Sequence, residues 1–258
     1  MNNPKQLVSI LLPVHNSERF LRECLQSLVS QSYRNIEIIA IDDQSTDNSY
    51  KILKTFKKNY KKVRIYRNVK RYGIVMTLNR LAKKAKGEFI AFASAEDLFS
   101  KNKVKKQLLY LLDNSNVVAL GTQCFFLDNH NKKLGKSSFP TENREIYNSP
   151  LHGLSMQFET VMLSKNLLPK DILKLNYGSS PFIYSDFLIK LLPFGKFSNL
   201  PNFLHYHRNN PKAYLWDLKK NFFSLIKLWV RGNAFYNYQP SMRIFFLSVF
   251  RTNLKTSQ

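Results

Sequence analysis

Residues 38–47 read Ile-Ile-Ala-Ile-Asp-Asp-Gln-Ser-Thr-Asp, an apolar run that stops in two adjacent carboxylates. An unbroken apolar run is typical of a strand that is buried on both faces, as in a parallel sheet. Ligands of such sheets bind at the carboxyl ends of the strands. We therefore expect Asp42 and Asp43 at a ligand crevice, with the Ser-Thr-Asp that follows starting a helix. The alternative is a solvated turn, because turns also favour these residue types.

A second apolar run, residues 88–93, is followed by Ser94 and Ala95 and then by two acids, Glu96 and Asp97. The chain is poor in acids, with 17 Asp and Glu against 40 Lys and Arg. Because two predicted strands end in carboxylates although acids are scarce in this chain, an ordinary solvated turn is the less expected explanation for each strand end. We expect both strand ends on one rim, so that one ligand can span them.

Strands and helices alternate around these runs, which predicts an α/β fold with a mostly parallel, Rossmann-like central sheet flanked by helices. A later helix, Phe182 to Leu192, carries Asp186 and is expected to stop at Gly195. From about Phe139 the alternation fades. The predicted strands are 7–13, 38–41, 63–66, 88–93, 117–120 and 124–127.

The composition favours polyanionic partners. The formal net charge of the 258 residues is +23, a field that attracts nucleotide phosphates, anionic lipid headgroups or nucleic acid. Cys24 and Cys124 fall in apolar patterns and are expected to be buried thiols in a reducing compartment. Residues 1–6 lack a signal-peptide pattern, and no apolar run approaches about 18 residues, so a cytoplasmic location is expected.

The last part of the chain, residues 211–258, interleaves aromatic and basic residues and is expected to form an amphipathic helical extension. This composition is typical of a helix in an anionic membrane interface, here peripheral on the inner face of the cell membrane. The alternative is a helix packed on the main domain with its lysines in water. Binding of nucleic acid is not expected, because no ribonucleoprotein or OB-type signature is present. The apolar positions of the helix are Leu215, Leu218, Phe222, Leu225, Ile226 and Trp229, with Lys219, Lys220, Lys227 and Arg231 around them.

Four segments resemble, in order, the signatures of the inverting family-2 glycosyltransferases, which have the GT-A fold. They are residues 8–18, residues 42–47, Gly73 with Asn79, and residues 87–92. The resemblance runs from Val8 to about Asn210. It implies a GT-A-like domain at 1–210, with a nucleotide-binding half at about 1–127 and an acceptor half at about 128–210, followed by the extension at 211–258.

The resemblance also implies a nucleotide-sugar donor and Mn²⁺ or Mg²⁺ on its diphosphate. The family holds that ion with a D-x-D element, because hard oxygen ligands suit both ions. Here Glu96 and Asp97 are the implied metal ligands. The implied donor-binding residues are Pro13, Val14, His15, Glu18, Asp42, Asp43, Arg71, Gly73, Ser94, Ala95, His207 and Arg208.

The chain departs from the family pattern at two acidic positions. Ser94 stands at the first aspartate of the D-x-D element, and Tyr184 stands where the general base is expected, which leaves Asp186 as the implied base. The implied reaction moves a sugar from a nucleotide-linked donor, expected to be UDP-linked, to a glycan or lipid-linked acceptor with inversion, in surface polysaccharide or glycolipid synthesis. The alternative is a catalytically silent relative that binds nucleotide or a partner transferase.

Overall fold

One twisted sheet organises the chain in a computed structural model that describes residues 5–208, 220–250 and 254–256. The strands of the described residues are β1 (Val8–Val14), β2 (Ile36–Asp42), β3 (Val63–Arg67), β4 (Phe89–Phe92), β5 (Leu98–Phe99), β6 (Val117–Leu127), β7 (Lys133–Ser137), β8 (Met162–Ser164), β9 (Lys196–His207) and β10 (Leu254–Thr256). The helices are α1 (Glu18–Val29), α2 (Ser49–Asn59), α3 (Ile74–Lys84), α4 (Lys103–Asp113), α5 (Asn143–Asn148), α6 (Ile183–Leu191), α7 (Phe222–Tyr236) and α8 (Met242–Phe250).

The amino-terminal half of the sheet is parallel, in the order β4-β1-β2-β3. Beyond β4, the order continues with β8, β6, β7 and β10, and these strands pair antiparallel. The predicted α/β fold, with a parallel central sheet flanked by helices, is thus confirmed. Because β1, β2 and β4 run the same way, their carboxyl ends meet at one edge.

The apolar runs are buried on both faces of the sheet, as their lack of alternation predicts. In β2, Ile38 and Ala40 join the core beneath α1, α2 and α4, while Ile39 and Ile41 join the core beneath α3, α6 and α7. Helices therefore cover both sides of the sheet. This three-layer arrangement leaves the strand ends as the place where a ligand can reach the backbone.

One strand of the second half is longer than the sequence predicts. Residues 117–120 and 124–127 were expected as separate strands, whereas β6 continues through both, with Gly121 to Gln123 between them. Its long partner is β9, which runs parallel to it with shifts of register. Thr122 N also donates to Thr160 Oγ1 at 3.2 Å, so the polar residues of the gap are satisfied inside the core.

The C-terminal part of the chain packs on the main domain. Leu225 and Leu228 of α7, together with Tyr238 and Phe245, are buried in the same core as α6. Strand β10 is an element that the predicted helical extension did not contain. The predicted helix positions Leu215, Leu218 and Lys219 lie outside the described residues. Within the described ranges, no helix combines the length and apolarity that a membrane crossing requires.

Lys103, the first residue of α4, is fully buried. Its Nζ lies 3.9 Å from the centroid of the Phe99 ring and has no hydrogen-bond partner among the described residues. Burial lowers the pKa of Lys103 to about 7, since the ammonium group loses its hydration. Lys103 therefore lowers the free energy of unfolding at any pH at which it is charged in the folded state.

We expect Lys103→Met to stabilise the fold. The folded pKa of about 7 lies below the ordinary value of 10.5, so between these values the unfolded chain binds more protons and the wild-type free energy of unfolding rises with pH. Methionine removes the charge, so we expect a gain of about 1–4 kcal/mol at pH 6 and a flatter rise from pH 7 to 10. Urea unfolding at several pH values measures both. The exposed Lys105→Met is the control, and an equal gain there would contradict an origin in the buried charge.

Candidate functional site

A cavity of about 360 Å³ opens at the carboxyl ends of β1, β2 and β4. Asp43, which follows β2, and Glu96, which follows β4, both line it. The start of α3 and residues 158–159 close the other sides. The two carboxylate-tipped strands thus meet along one hollow. The cavity is lined by nine of the predicted site residues, Pro13, Val14, His15, Asp43, Arg71, Gly73, Ser94, Ala95 and Glu96.

Asp43 fixes the loop that borders the cavity. Its carboxylate accepts the backbone N–H groups of Tyr72 at 2.9 Å and Gly73 at 2.7 Å, and the side-chain amide of Asn68 at 2.6 Å. Gly73 has a φ of +81°, a conformation that side chains with a Cβ rarely adopt. His15 Nδ1–H donates to the backbone oxygen of Asp43 at 2.9 Å. The carboxylate is therefore rigidly placed at the cavity edge.

Asp42 and Glu18, two predicted donor-binding residues, do not line the cavity. Successive side chains of a strand point to opposite faces, so Asp42 turns away from Asp43 and pairs with Arg67 Nε at 2.9 Å. Glu18 accepts the backbone and side-chain N–H groups of Asn48, at 2.9 and 2.7 Å. The structure gives both acids supporting contacts instead of a place in the cavity.

Asp97 is the centre of a buried polar cluster, which we call the Asp97 cluster (Asp97, His205, His207 and the Arg208 backbone). Its Oδ2 accepts His205 Nε2 at 2.9 Å and His207 Nδ1 at 2.8 Å, and its Oδ1 accepts the Arg208 N–H at 2.9 Å. Burial alone would raise the pKa of Asp97, but the two histidines outweigh it and hold that pKa well below its usual range. The carboxylate is charged at neutral pH.

His207 is cationic in this setting. Burial disfavours the imidazolium, but Asp97 outweighs this effect and raises the pKa of His207 to about 9. For His205, burial wins over Asp97 and the pKa is lowered. The cluster therefore joins one carboxylate to one protonated and one neutral imidazole.

Arg208 and His207, also predicted to bind the donor, lie outside the cavity lining. The Arg208 guanidinium donates to Glu96 O at 3.0 Å, Asp128 O at 2.8 Å and Asn131 Oδ1 at 2.8 Å. It also lies 4.0 Å from the Phe20 ring centroid. These contacts tie β9 to the loop after β4 and to the β6–β7 turn, so the guanidinium acts as a clamp on the acidic loop.

The same cluster is the group of described residues that could hold a metal ion. One ligand atom from each of Asp97, His205 and His207 lies within 4.8 Å of the others. Glu96, predicted as the second ligand beside Asp97, faces the cavity and is not part of this group. A carboxylate with two imidazoles suits a divalent ion that accepts nitrogen better than it suits Mg²⁺, whose preferred ligands are oxygens.

A wall beside the end of β4 is formed by Phe158, Glu159 and Tyr184, with the Phe158 ring centroid 4.2 Å from that of Phe92. The rings of Phe158 and Tyr184 stack at 4.3 Å with an interplanar angle of 17°. Burial raises the pKa of Tyr184 above its ordinary value, so its phenol is neutral at physiological pH. Glu159 is 9% exposed, and burial raises its pKa as well. This wall combines an apolar ring platform with one carboxylate.

Asp186, the predicted base, is 1% exposed and does not line the cavity. It faces Arg231 of α7, with 3.4 Å between Oδ1 and Nε, and accepts Asn176 Nδ2 at 3.3 Å. Helical geometry explains the difference, because residues two apart in α6 point to different sides and Tyr184 occupies the cavity side. The position of Asp186 gives no support to its predicted role.

Several lining residues were not singled out from the sequence. The most informative is Glu159, a charged residue inside the apolar segment Met156 to Leu163. A carboxylate in such a segment is a signal that the sequence contained, since acids are seldom buried without a role. The others are Ser17, Ile74, Thr77, Leu78, Ala93 and Phe158.

Comparison with protein families gives one match, over residues 9–167, to the model of glycosyl transferase family 2. The match covers more than half of the chain. The chain belongs to glycosyl transferase family 2. The resemblance read from the four sequence segments is thereby confirmed.

Relatives within the family include an uncharacterized glycosyltransferase of Haemophilus influenzae, 33% identical over 64% of this chain and 64% of its own length. Another is WfgD of Escherichia coli, named UDP-Glc:alpha-D-GlcNAc-diphosphoundecaprenol beta-1,3-glucosyltransferase, 29% identical over 70% of this chain and 66% of its own length. The chain thus spans less than two thirds of these relatives.

Solved structures share the fold. That of S. aureus TarS residues 1–349 with UDP has a TM-score of 0.66 at 19% identity, covering 85% of this chain and 65% of that chain. That of the mannosyltransferase PcManGT of Pyrobaculum calidifontis, with GDP-Man and Mn²⁺, has a TM-score of 0.62 at 15% identity, covering 94% of this chain and 68% of that chain. The predicted GT-A fold is confirmed by these likenesses.

Proposed function

We propose that this family-2 chain transfers a sugar from a nucleotide-sugar donor to a glycan or lipid-linked acceptor, with inversion at the anomeric carbon. The observation that carries the proposal is the single cavity lined by both Asp43 and Glu96. The nucleoside and the diphosphate of one ligand fit a cavity that has one polar group at Asp43 and another at Glu96. The relatives' names, which include a UDP-glucose-dependent glucosyltransferase, support a UDP-linked donor and a product in surface polysaccharide or glycolipid synthesis.

In this proposal the Asp43-clamped loop lies beside the nucleoside, and Arg71, Ser94 and Glu96 lie beside the diphosphate and sugar. Asp97, His205 and His207 are the residues that would hold a divalent ion once His207 has lost its proton, and we propose Mn²⁺ for it, the ion in the PcManGT structure. A bound ion would supply positive charge near the loop after β4, beside which we place the diphosphate. Arg71, which lines the cavity, supplies positive charge from the chain itself.

Calorimetric titration with UDP, with and without Mn²⁺, tests the proposal together with assays of UDP release from UDP-glucose and UDP-N-acetylglucosamine. We expect UDP binding that Mn²⁺ strengthens, and slow hydrolysis of at least one donor. A protein that binds none of UDP, GDP, ADP and CDP would contradict the proposal.

A catalytically silent, nucleotide-binding relative is the second candidate. Tyr184, neutral and buried at the expected base position, and Ser94, at the first acid of the D-x-D element, favour it. The same titration separates the two candidates. Tight UDP binding without donor hydrolysis or transfer would support the silent relative.

We further propose that α7 and α8 rest on an anionic membrane surface, which would place the protein at the inner face of the cell membrane. Large apolar side chains of these helices stay exposed although their other faces are buried. Phe223 is 81% exposed and Phe235 is 78% exposed, and Lys227 of α7 and Arg243 of α8 are exposed as well. Aromatic anchors with basic neighbours suit a headgroup layer.

We expect the double variant Phe223→Ser/Phe235→Ser to lose flotation with vesicles that contain phosphatidylglycerol. Each phenylalanine contributes about 1.5–3 kcal/mol when it is buried, so the double loss weakens binding about 100-fold or more. Added salt should weaken wild-type binding too, because surface charges are screened. Leu109→Ser, an exposed leucine on the opposite side of the sheet, is the control. Equal flotation of wild type and double variant would contradict membrane binding through these helices.

A further inference from the structure

Three of the described carboxylates that line the cavity have different surroundings. Asp43 is saturated by the N–H groups of its loop. Glu96 follows β4 at the D-x-D position, on the rim assigned to the diphosphate. Glu159 lies on the wall that the Phe158 and Tyr184 ring platform forms. It is the one of the three to which the proposed donor contacts give no task.

A buried side-chain amide holds the Glu159 carboxylate in place. Gln157 Nε2 donates to Glu159 Oε2 at 2.6 Å and lies 3.3 Å from His207 Nε2. His207 in turn donates to Asp97. Glu159 is therefore held by one amide that lies against the Asp97 cluster, and a group held in this way loses little freedom when it meets a substrate.

The two other groups at hand are unsuited to accept a proton in the cavity. Tyr184 lines the cavity, but its phenol stays protonated at neutral pH and therefore cannot accept the hydroxyl proton. Asp186 carries a carboxylate, but it is engaged by Arg231 and Asn176 and lies outside the lining. A base must lie within hydrogen-bond reach of the proton that it takes.

We propose that Glu159 is the general base of the sugar transfer, an inference that rests on the proposed function. The acceptor hydroxyl oxygen forms a bond to the anomeric carbon while the bond from that carbon to the diphosphate oxygen breaks. The electron pair of the broken bond leaves on the nucleoside diphosphate, and the hydroxyl proton passes to Glu159 Oε1. In this assignment the general base lies in the turn Phe158–Thr160, and not on helix α6 where the sequence predicts it.

Glu159→Gln tests the assignment, because glutamine keeps the shape and removes the proton acceptor. We expect the rate of UDP release from the donor sugar that the wild type hydrolyses to fall by about 100- to 10,000-fold, the usual contribution of a general base. The dissociation constant for UDP should stay within about twofold of wild type, since Glu159 has no part in the proposed nucleotide contacts. Thermal unfolding checks that the variant is folded.

Two matched variants accompany it. Asp186→Asn removes the rival carboxylate and is expected to keep turnover below its unfolding temperature. Glu145→Gln removes an exposed glutamate of α5 and should behave as wild type. Should Glu159→Gln fail to fold, Glu159→Ala with added sodium formate is the second measurement, and turnover that formate restores supports a missing proton acceptor.

The outcomes separate this inference from the function beneath it. Wild-type turnover in Glu159→Gln, or turnover lost in Asp186→Asn alone, would overturn the assignment of Glu159 and leave sugar transfer standing. Turnover of Glu159→Ala that formate does not restore would also count against it. A wild-type protein that neither binds UDP nor hydrolyses UDP-sugars would overturn the proposed function and the assignment together.

Discussion

Replacing Asp97 with asparagine is expected to lower the free energy of unfolding by about 3–5 kcal/mol, the usual loss when one partner of a buried ion pair is removed. The carboxylate accepts from His205, His207 and the Arg208 backbone, and all of these groups are buried. Asparagine offers one oxygen and adds a donor, so the His207 imidazolium loses its counter-charge. For a chain of this size the midpoint of thermal unfolding should fall by about 6–20 °C.

Circular dichroism melts of Asp97→Asn and Glu96→Gln measure this effect as a pair. Glu96 is the neighbouring acid and is exposed, so its variant removes the same charge with a much smaller loss of stability. Similar melting temperatures for the two variants would show that the Asp97 cluster does not support the fold. Because Asp97 anchors β9 to the loop after β4, we also expect Asp97→Asn to bind UDP poorly.

Replacing Asp43 with asparagine is expected to weaken UDP binding about 10- to 100-fold. One oxygen of asparagine cannot accept all the N–H groups that Asp43 holds, and an N–H left unpaired costs about 1–3 kcal/mol. The loop with Tyr72 and Gly73 should therefore leave its place at the cavity edge. Each 1.4 kcal/mol corresponds to about tenfold in affinity.

Calorimetry with UDP measures the loss in Asp43→Asn, and Asp113→Asn is its control. Asp113 is exposed at the end of α4, so its variant changes the net charge equally and should bind UDP as wild type does. Unchanged affinity in Asp43→Asn would mean that this loop does not border the nucleotide. Equal losses in both variants would point instead to the overall charge of the chain.

The parallel half of the fold could be predicted because its signals are local. The run before Asp42 is apolar without alternation, and β2 is indeed buried along its whole length. Strand β6 was harder to predict, because Gly121 and the polar residues after it read as a break. Their partners, Thr160 and the distant strand β9, become neighbours only in the folded chain.

The site was predictable in outline and less so in detail. Both acidic strand ends were found, yet the two aspartates at the end of β2 were not told apart, although the alternation of side chains along a strand separates them. The side chains that hold Asp97, those of His205 and His207, come about a hundred positions later in the chain, so no local sequence pattern predicts these contacts. Glu159 was missed because its segment lies where the alternation of strands and helices is weakest.

The ion pair between Asp186 and Arg231 has a mechanical consequence. It fastens α6, whose Tyr184 forms part of the cavity wall, to α7, whose outer side carries the exposed Phe235. A displacement of α7 would therefore reach the cavity wall at Tyr184 through this ion pair and through the apolar contacts between α6 and α7. The exposed side of α7 and the Tyr184 wall of the cavity are thereby joined in one structural unit.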